Sequence, residues 1–450
     1  MTGRPSGPAP VWSGTSNRAG SSRVYRQDEG VRITYVHQYF KTPGMAGGTR
    51  SYEFARRLVE HGHQVHMVTA DASGGPARVT TEAGIVVHWL PVPYDNAMSY
   101  RRRILAFLSF VGRATLVAAR LDHELVFATS TPLTVAIPGV VAAMRRRVPM
   151  VFEVRDLWPR APIAVGALRS PAARWAAGRL EAWAYRRSAH VIALSDDMAD
   201  SIQRRFPRVP VTVVPNGSDR ALFSGPAARR AGAALRRSLP WLGDRPMVLY
   251  AGALGVVNGV DYLVRAAARL AVLDPEVRVV ILGDGRMRES IRRLAAELGV
   301  LERTLFLLPP VAKTEVVAWF AACDLATGLT LNRPELGSDS SNKLLDALAA
   351  GRPVAVNHGG WITGLLTRTG AGLALPPDDP EGAATVLAGF LRDPAAGAAA
   401  RRAASALARD RFDRNVLFRD FERVLIEARY GLGAGRTAAS TSRIHISRAS

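Results

Sequence analysis

Short apolar runs rich in β-branched residues recur at 31–36, 65–69, 85–90, 125–128, 150–154, 191–194 and 211–214. The series starts afresh at 247–250, 277–282, 305–308, 325–327 and 354–356. Runs this short and continuous suit strands covered on both faces. Between them the apolar spacing changes to the helical period. Segment 50–60 carries Tyr52, Ala55, Leu58 and Val59 on one face, and 413–428 carries Val416, Leu417, Phe421, Val424 and Leu425. Segments 101–120, 260–273 and 314–322 also read as helices. This alternation predicts doubly wound parallel sheets, because a crossover between parallel strands needs the length of a helix. Two α/β domains are expected, 31–214 and 240–412, with an Ala/Arg/Gly-rich connection at 215–239. Residues 1–30 and 431–450 show no such pattern and are expected to be a disordered leader and tail.

In each half a glycine-rich loop follows the first strand, Gly47-Gly48 before a helix at Arg50 and Gly252 to Gly259 in the second half. Such loops let a phosphate approach the backbone, but neither has the G-x-G-x-x-G spacing of a dinucleotide site. A third stretch concentrates more chemistry. Ser338 to Asn342 offers several N-cap side chains, a helix-forming run follows, and Gly351 and Pro353 end it. Lys343 falls in the first turn of that helix, where the macrodipole disfavours a cation by about 0.3–1 kcal/mol. An anion such as a diphosphate on the free N–H groups of Ser341 to Leu344 would reverse that cost; a solvated surface lysine is the alternative. Ser195-Asp196-Asp197 is read as a helix cap rather than a metal pair.

Composition narrows the setting. A chain of 450 residues with one cysteine, Cys323, has no disulfide and no zinc cluster, and a reducing, cytoplasmic interior is expected. No apolar run reaches the roughly 18–20 residues of a spanning helix. The net charge of +21 is unevenly spread. Residues 31–214 hold 24 basic against 13 acidic side chains, and residues 240–430 hold 23 against 22. An anionic acceptor or an anionic membrane surface would answer to that surplus. Nucleic acid is not expected, since no recognition motif accompanies the charge; arginine-rich coding bias is the plain alternative, with only three lysines in the chain. Arg101-Arg102-Arg103 ahead of an apolar 104–111 resembles an interfacial helix, while a sheet-packing helix accounts equally for the apolar part. The aromatics of a second basic amphipathic segment, Trp175 and Trp183, are expected in the core.

Tyr35-Val36-His37-Gln38-Tyr39-Phe40 with Gly47-Gly48-Thr49-Arg50 is similar to the N-terminal signature of retaining glycosyltransferase family 4. Glu153-Val154-Arg155-Asp156-Leu157-Trp158-Pro159, Val214-Pro215-Asn216-Gly217, Tyr250-Ala251-Gly252, Gly283-Asp284-Gly285 and the run Asn342 to Val354 extend the resemblance over residues 31–430. It implies a GT-B architecture of two Rossmann-like domains facing a cleft, with a helix at 413–430 crossing back to the first. It also implies a nucleotide-sugar, UDP-linked, on the second domain, a hydroxyl acceptor on the first, and no cofactor or metal. The family's paired glutamates are Ser338 and Asp346 here, the loop cations are replaced at Ala253 and Asn258, and a histidine is replaced by Arg155. That pattern resembles the branch building cell-surface polysaccharides and O-antigen-type glycans on lipid-linked acceptors, which admits a peripheral seat at the inner membrane face.

On this resemblance Lys343 is the expected catalytic cation, with Arg155 and Asp156 positioning sugar or acceptor. Gly47, Gly48, Arg50, Asn216, Gly252, Asn258, Gly283, Gly285, Ser341, Asn342 and Asp346 are expected around the donor, Asp346 on the ribose hydroxyls. His37, Tyr39, Arg101, Arg102 and Arg103 are expected on the acceptor side. No enzyme nucleophile is evident, so front-face attack is expected. A catalytically silent sugar-nucleotide-binding subunit, a nucleotide-sugar epimerase and a natural-product glycosyltransferase are the competing readings.

Overall fold

A computed structural model describes residues 30–431, apart from 46–47, 96–97, 99, 165, 167, 334–335 and 337–340. Residues 1–29 of the expected leader, 432–450 of the expected tail, Gly47 and Ser338 lie outside the described residues. Among the described residues fourteen strands form two sheets. The first holds β1 (Arg32–Val36), β2 (Gln64–Asp71), β3 (Arg78–Glu82), β4 (Ile85–Pro91), β5 (Leu125–Thr129), β6 (Met150–Val154), β7 (His190–Ala193) and β8 (Val211–Val213) in the order β3-β4-β2-β1-β5-β6-β7-β8. The second holds β9 (Met247–Ala251), β10 (Arg278–Leu282), β11 (Leu305–Leu308), β12 (Leu325–Gly328), β13 (Val354–Val356) and β14 (Gly372–Ala374) in the order β11-β10-β9-β12-β13-β14. All pairings are parallel except β3 with β4. β3 escapes the apolar pattern because it is a half-exposed edge built of Arg, Val, Thr and Glu.

Both sheets reverse their strand order once, between β1 and β5 and between β9 and β12. In open parallel sheets the crevice at that reversal, outside the carboxyl ends of the strands, is where ligands sit. The chain therefore presents two crevices, one per sheet. Around the first sheet run α1 (Arg50–Glu60), α2 (Tyr100–Arg120) and α3 (Ala136–Arg146), each following a strand.

Segment 215–239 is largely helical rather than a plain connection. Helices Arg220–Ser224 and Pro226–Ser238 occupy it, and Phe223 and Ala228 join the core under β9 and β12. The last helix, Arg414–Tyr430, packs Leu417, Phe418, Phe421, Val424 and Leu425 into the core beneath β1, β2 and β5, with Phe421 4.6 Å from Phe54 and 4.9 Å from Phe127. The chain thus passes between the sheets twice, at 216–219 and 412–414, where Ser218 and Asp413 are bridged. Trp175 departs from expectation: it is exposed, because its helix Pro171–Arg187 turns Glu181, Ala184 and Tyr185 inward instead.

Candidate active site

The second crevice is built from the loop after β9 and the helix Asn342–Ala349 after β12. Leu344 to Ala349 are buried, and the helix sits tight on the sheet because Gly328 has no side chain. A β-carbon there would stand 2.0 Å from Leu344 Cδ2. The loop after β9 interlocks with a second loop, 283–285 after β10: the Gly252 amide donates to the Leu282 carbonyl and that of Leu254 to Asp284. A β-carbon on Gly283 would lie 1.9 Å from the Gly252 oxygen, so the second loop tolerates nothing larger. Asn258 closes the first loop by accepting from the Gly255 amide at 3.2 Å.

Lys343 lies across this loop. Its ammonium donates to the Tyr250 hydroxyl at 3.2 Å and stands 4.6 Å above the Tyr250 ring. Its stem passes over Gly252, whose added β-carbon would come within 3.3 Å of Cδ. Tyr250 is fully buried on β9 and donates to the Ala253 carbonyl at 2.7 Å. The side chain of Lys343 is thus directed toward the crevice floor by a ring and a hydroxyl that arrive from the neighbouring strand. Ser341 is the N-cap residue but makes no side-chain cap bond.

The first crevice gathers residues from the carboxyl ends of β1, β5 and β6. A cavity of about 270 Å³ is lined by His37, Tyr39, Gly48, Arg155, Asp156 and Asn216, among others. The Arg155 guanidinium lies 3.4 Å from His37 Nε2, and the Arg155 amide donates to Ser130 Oγ. Asp156 accepts from the Thr131 hydroxyl at 3.1 Å. Burial, together with the charges of Arg155 and Lys41, holds the His37 imidazole well below its usual pKa, so it enters the cavity neutral. The two crevices meet where Gly48 approaches Asn342: a β-carbon at Gly48 would stand 3.1 Å from Asn342 Nδ2.

Two residues expected at the donor have partners within the protein. Arg50 is 2 % exposed and turned into the first domain. Its Nε and Nη2 donate to Glu153 Oε1 at 2.9 and 2.8 Å, its other hydrogen bonds go to the carbonyls of Val214 and Pro215, and its guanidinium lies over the Phe54 ring. Glu153, fully buried, accepts from Thr129 at 2.7 Å as well. Burial opposes its charge, but Arg50, Arg155 and these hydrogen bonds outweigh it and hold the carboxyl below its usual range. Asp346 is likewise buried and paired within the protein. It accepts from Ser218 at 2.7 Å and pairs with Lys313, tying the helix Asn342–Ala349 to the crossing at Ser218. Arg101 and Arg102 are exposed on α2 rather than in the cavity. Tyr250, Glu153 and Lys313 carry these arrangements. Tyr250 and Glu153 stand inside motifs already quoted, and Lys313, one of three lysines, had only its rarity to mark it.

Comparison with known proteins follows the same division. A family described as "Glycosyl transferase 4-like domain" matches residues 46–217, and one described as "Glycosyl transferases group 1" matches residues 245–393. D-inositol 3-phosphate glycosyltransferase of Streptomyces avermitilis is 30% identical over 406 residues, covering 85% of this chain and 84% of that protein. The protein of the same name from Xylanimonas cellulosilytica is 29% identical, covering 82% and 88%. Among solved structures, sucrose-phosphate synthase of Thermosynechococcus elongatus superposes with a TM-score of 0.71 at 18% identity, over 89% of this chain and 100% of that one. Anabaena HepE in complex with UDP-glucose superposes with a TM-score of 0.67 at 20% identity, over 88% and 100%.

Proposed function

Because the chain belongs to the GT-B glycosyltransferases, with a family-4-like first half and a group 1 second half, we propose that it moves a sugar from a UDP-sugar to a hydroxyl of an anionic, lipid-linked acceptor with retention at the anomeric carbon. The observation that carries this reading is Lys343, held by Tyr250 at the start of the helix Asn342–Ala349 and facing the crevice at the β9/β12 reversal. As the bond from the anomeric carbon to the diphosphate breaks, negative charge grows on the leaving phosphate. An ammonium group and the N–H groups of Ser341 to Lys343 stabilise that charge more than they stabilise the bound donor, which is what accelerates the step; the Leu344 N–H is already given to the Ser341 carbonyl. The acceptor hydroxyl attacks from the face the phosphate leaves, and its proton passes to the departing phosphate oxygen. That route requires no enzyme nucleophile.

UDP as the carrier is supported by HepE, whose structure contains UDP-glucose. The relatives named for D-inositol 3-phosphate support an acceptor bearing phosphate, and Arg155 beside a neutral His37 in the first cavity is suited to an anion. Lipid linkage draws on the basic surplus of the first half and on the resemblance to the polysaccharide branch.

The test is UDP release from a panel of UDP-sugars, without acceptor and with lipid-diphosphate-linked or inositol-phosphate acceptors. Slow release without acceptor and faster release with one of them is the expected result. Binding of UDP with no turnover on any pair would replace this reading with that of a silent subunit. A changed sugar without free UDP would replace it with an epimerase.

Tyr250→Phe keeps the ring beneath Lys343 and removes only the hydroxyl. A hydrogen bond to a charged group contributes about 1.5–3 kcal/mol, so kcat should fall about tenfold or more through misplacement of the ammonium. KM for the donor should stay nearly unchanged, while the melting temperature should fall slightly because the Ala253 carbonyl loses its donor. A rise confined to KM would mean that Tyr250 only shapes donor binding.

A further inference from the structure

The outer face of α2 is built backwards for a helix of a water-soluble domain. Its inner stripe, Ala106, Phe110, Ala114 and Ala118, is buried against the first sheet. Its outer stripe is leucine: Leu105 is 64 %, Leu108 57 % and Leu116 60 % exposed. Scattered exposed apolar residues need no explanation, but a stripe along one face does. α3 packs beside α2 and adds Met144 to the exposed set. Arginine surrounds this surface, with Arg101, Arg102, Arg113 and Arg120 on α2 and Arg145 and Arg146 on α3, and neither helix contains an acidic residue. Among the described residues no helix is long and apolar enough to cross a membrane.

The same helix borders the acceptor-side cavity. Tyr39, which lines it, packs against Tyr94 at 5.0 Å between ring centroids, and Tyr94 stacks on Phe107 of α2 at 6.1 Å. We propose that the α2–α3 face docks in the plane of an anionic lipid bilayer, with Leu105, Leu108 and Leu116 in the headgroup–acyl boundary and the surrounding arginines on lipid phosphates. Docked this way, the cavity of His37, Tyr39 and Arg155 opens beside the headgroups, where a membrane-anchored acceptor presents its polar end. The meaning for the acceptor rests on the proposed transferase reading; the docking itself does not.

Charge complementarity selects this occupant. The chain's own termini are poor candidates: residues 432–450 contain arginines and no acid, and residues 1–29 contain Arg4, Arg18, Arg23 and Arg26 against Asp28 and Glu29. A second copy would bring the same arginines against themselves. An anionic bilayer offers negative charge at the rim and hydrocarbon at the centre, the arrangement an interfacial helix matches.

The test is flotation of the full chain with vesicles of phosphatidylcholine alone or mixed with phosphatidylglycerol. The protein should float with the mixed vesicles in about 0.1 M salt, and binding should fall about tenfold or more in about 1 M salt, where the screening length shortens from about 10 to about 3 Å. It should also fall about tenfold or more with phosphatidylcholine alone. Leu105→Asn/Leu108→Asn/Leu116→Asn should lose flotation about tenfold or more while hydrolysing UDP-sugar in solution like the parent chain. Arg113→Gln/Arg120→Gln should weaken flotation and its salt dependence. Equal flotation on both vesicle types, flotation by the triple variant equal to the parent, or a salt-stable dimer that the triple variant abolishes would each overturn the proposal. Flotation as expected with no turnover of any UDP-sugar would leave docking standing and remove the transferase reading.

Discussion

Lys343→Ala should lower kcat by about 10²-fold or more, the loss typical when a preorganised donor to a developing oxyanion is removed. The physical basis is position. A lysine in a first helical turn opposes the macrodipole, and Tyr250 beneath it recovers part of that cost through its ring face and hydroxyl. The ammonium is therefore already placed before the donor arrives, and its interaction grows only as charge moves onto the leaving phosphate. Steady-state UDP release with the preferred donor reads the effect. Lys343→Met, which preserves the stem over Gly252, should behave like the alanine variant. Lys343→Arg should rescue poorly, because a planar guanidinium does not fit the space between Tyr250 and Gly252 as a point charge does. Unchanged kcat in both neutral variants would remove the phosphate assignment and with it the main support for the mechanism.

Glu153→Ala should destabilise the first domain by about 3–5 kcal/mol, since it strands the guanidinium of Arg50 in a site that excludes water. Arg50 then keeps the carbonyls of Val214 and Pro215 and the face of Phe54, but no counter-charge. Arg50→Met/Glu153→Met should recover much of the loss, because replacing both members of a buried pair is far less costly than removing one. Urea unfolding followed by a probe in the first domain measures this better than a single global transition, since a two-domain chain need not unfold in one step. The experiment also separates two roles for Arg50. A residue contacting the donor phosphate would lose turnover with little stability when changed to Gln, whereas the pair seen here would lose stability first.

These two cases divide what the chain showed of itself along its length from what appeared only on folding. Periodicity was sufficient for the strand–helix alternation and two parallel sheets, because buried parallel strands and amphipathic helices write their environment into neighbouring residues. The short, half-polar β3 and the exposed Trp175 escaped it, since neither pattern separates an edge or an outward face from a core. Ser341 to Leu344 was legible for the same local reason: a cap, a cation and a helix start lie within four residues.

The partners of charged side chains are a different matter. Arg50 meets Glu153 across 103 positions, and Ser218 meets Asp346 across 128. Nothing near Arg50 marks it as bound for the domain interior, and nothing near Asp346 announces Lys313 and Ser218. Local order along a chain determines which elements form, because the hydrogen bonds and side-chain spacing of a helix or strand are short-range. Which charge neutralises which is decided only when the sheets stack and water leaves, because the cost of an unpaired charge becomes large only then.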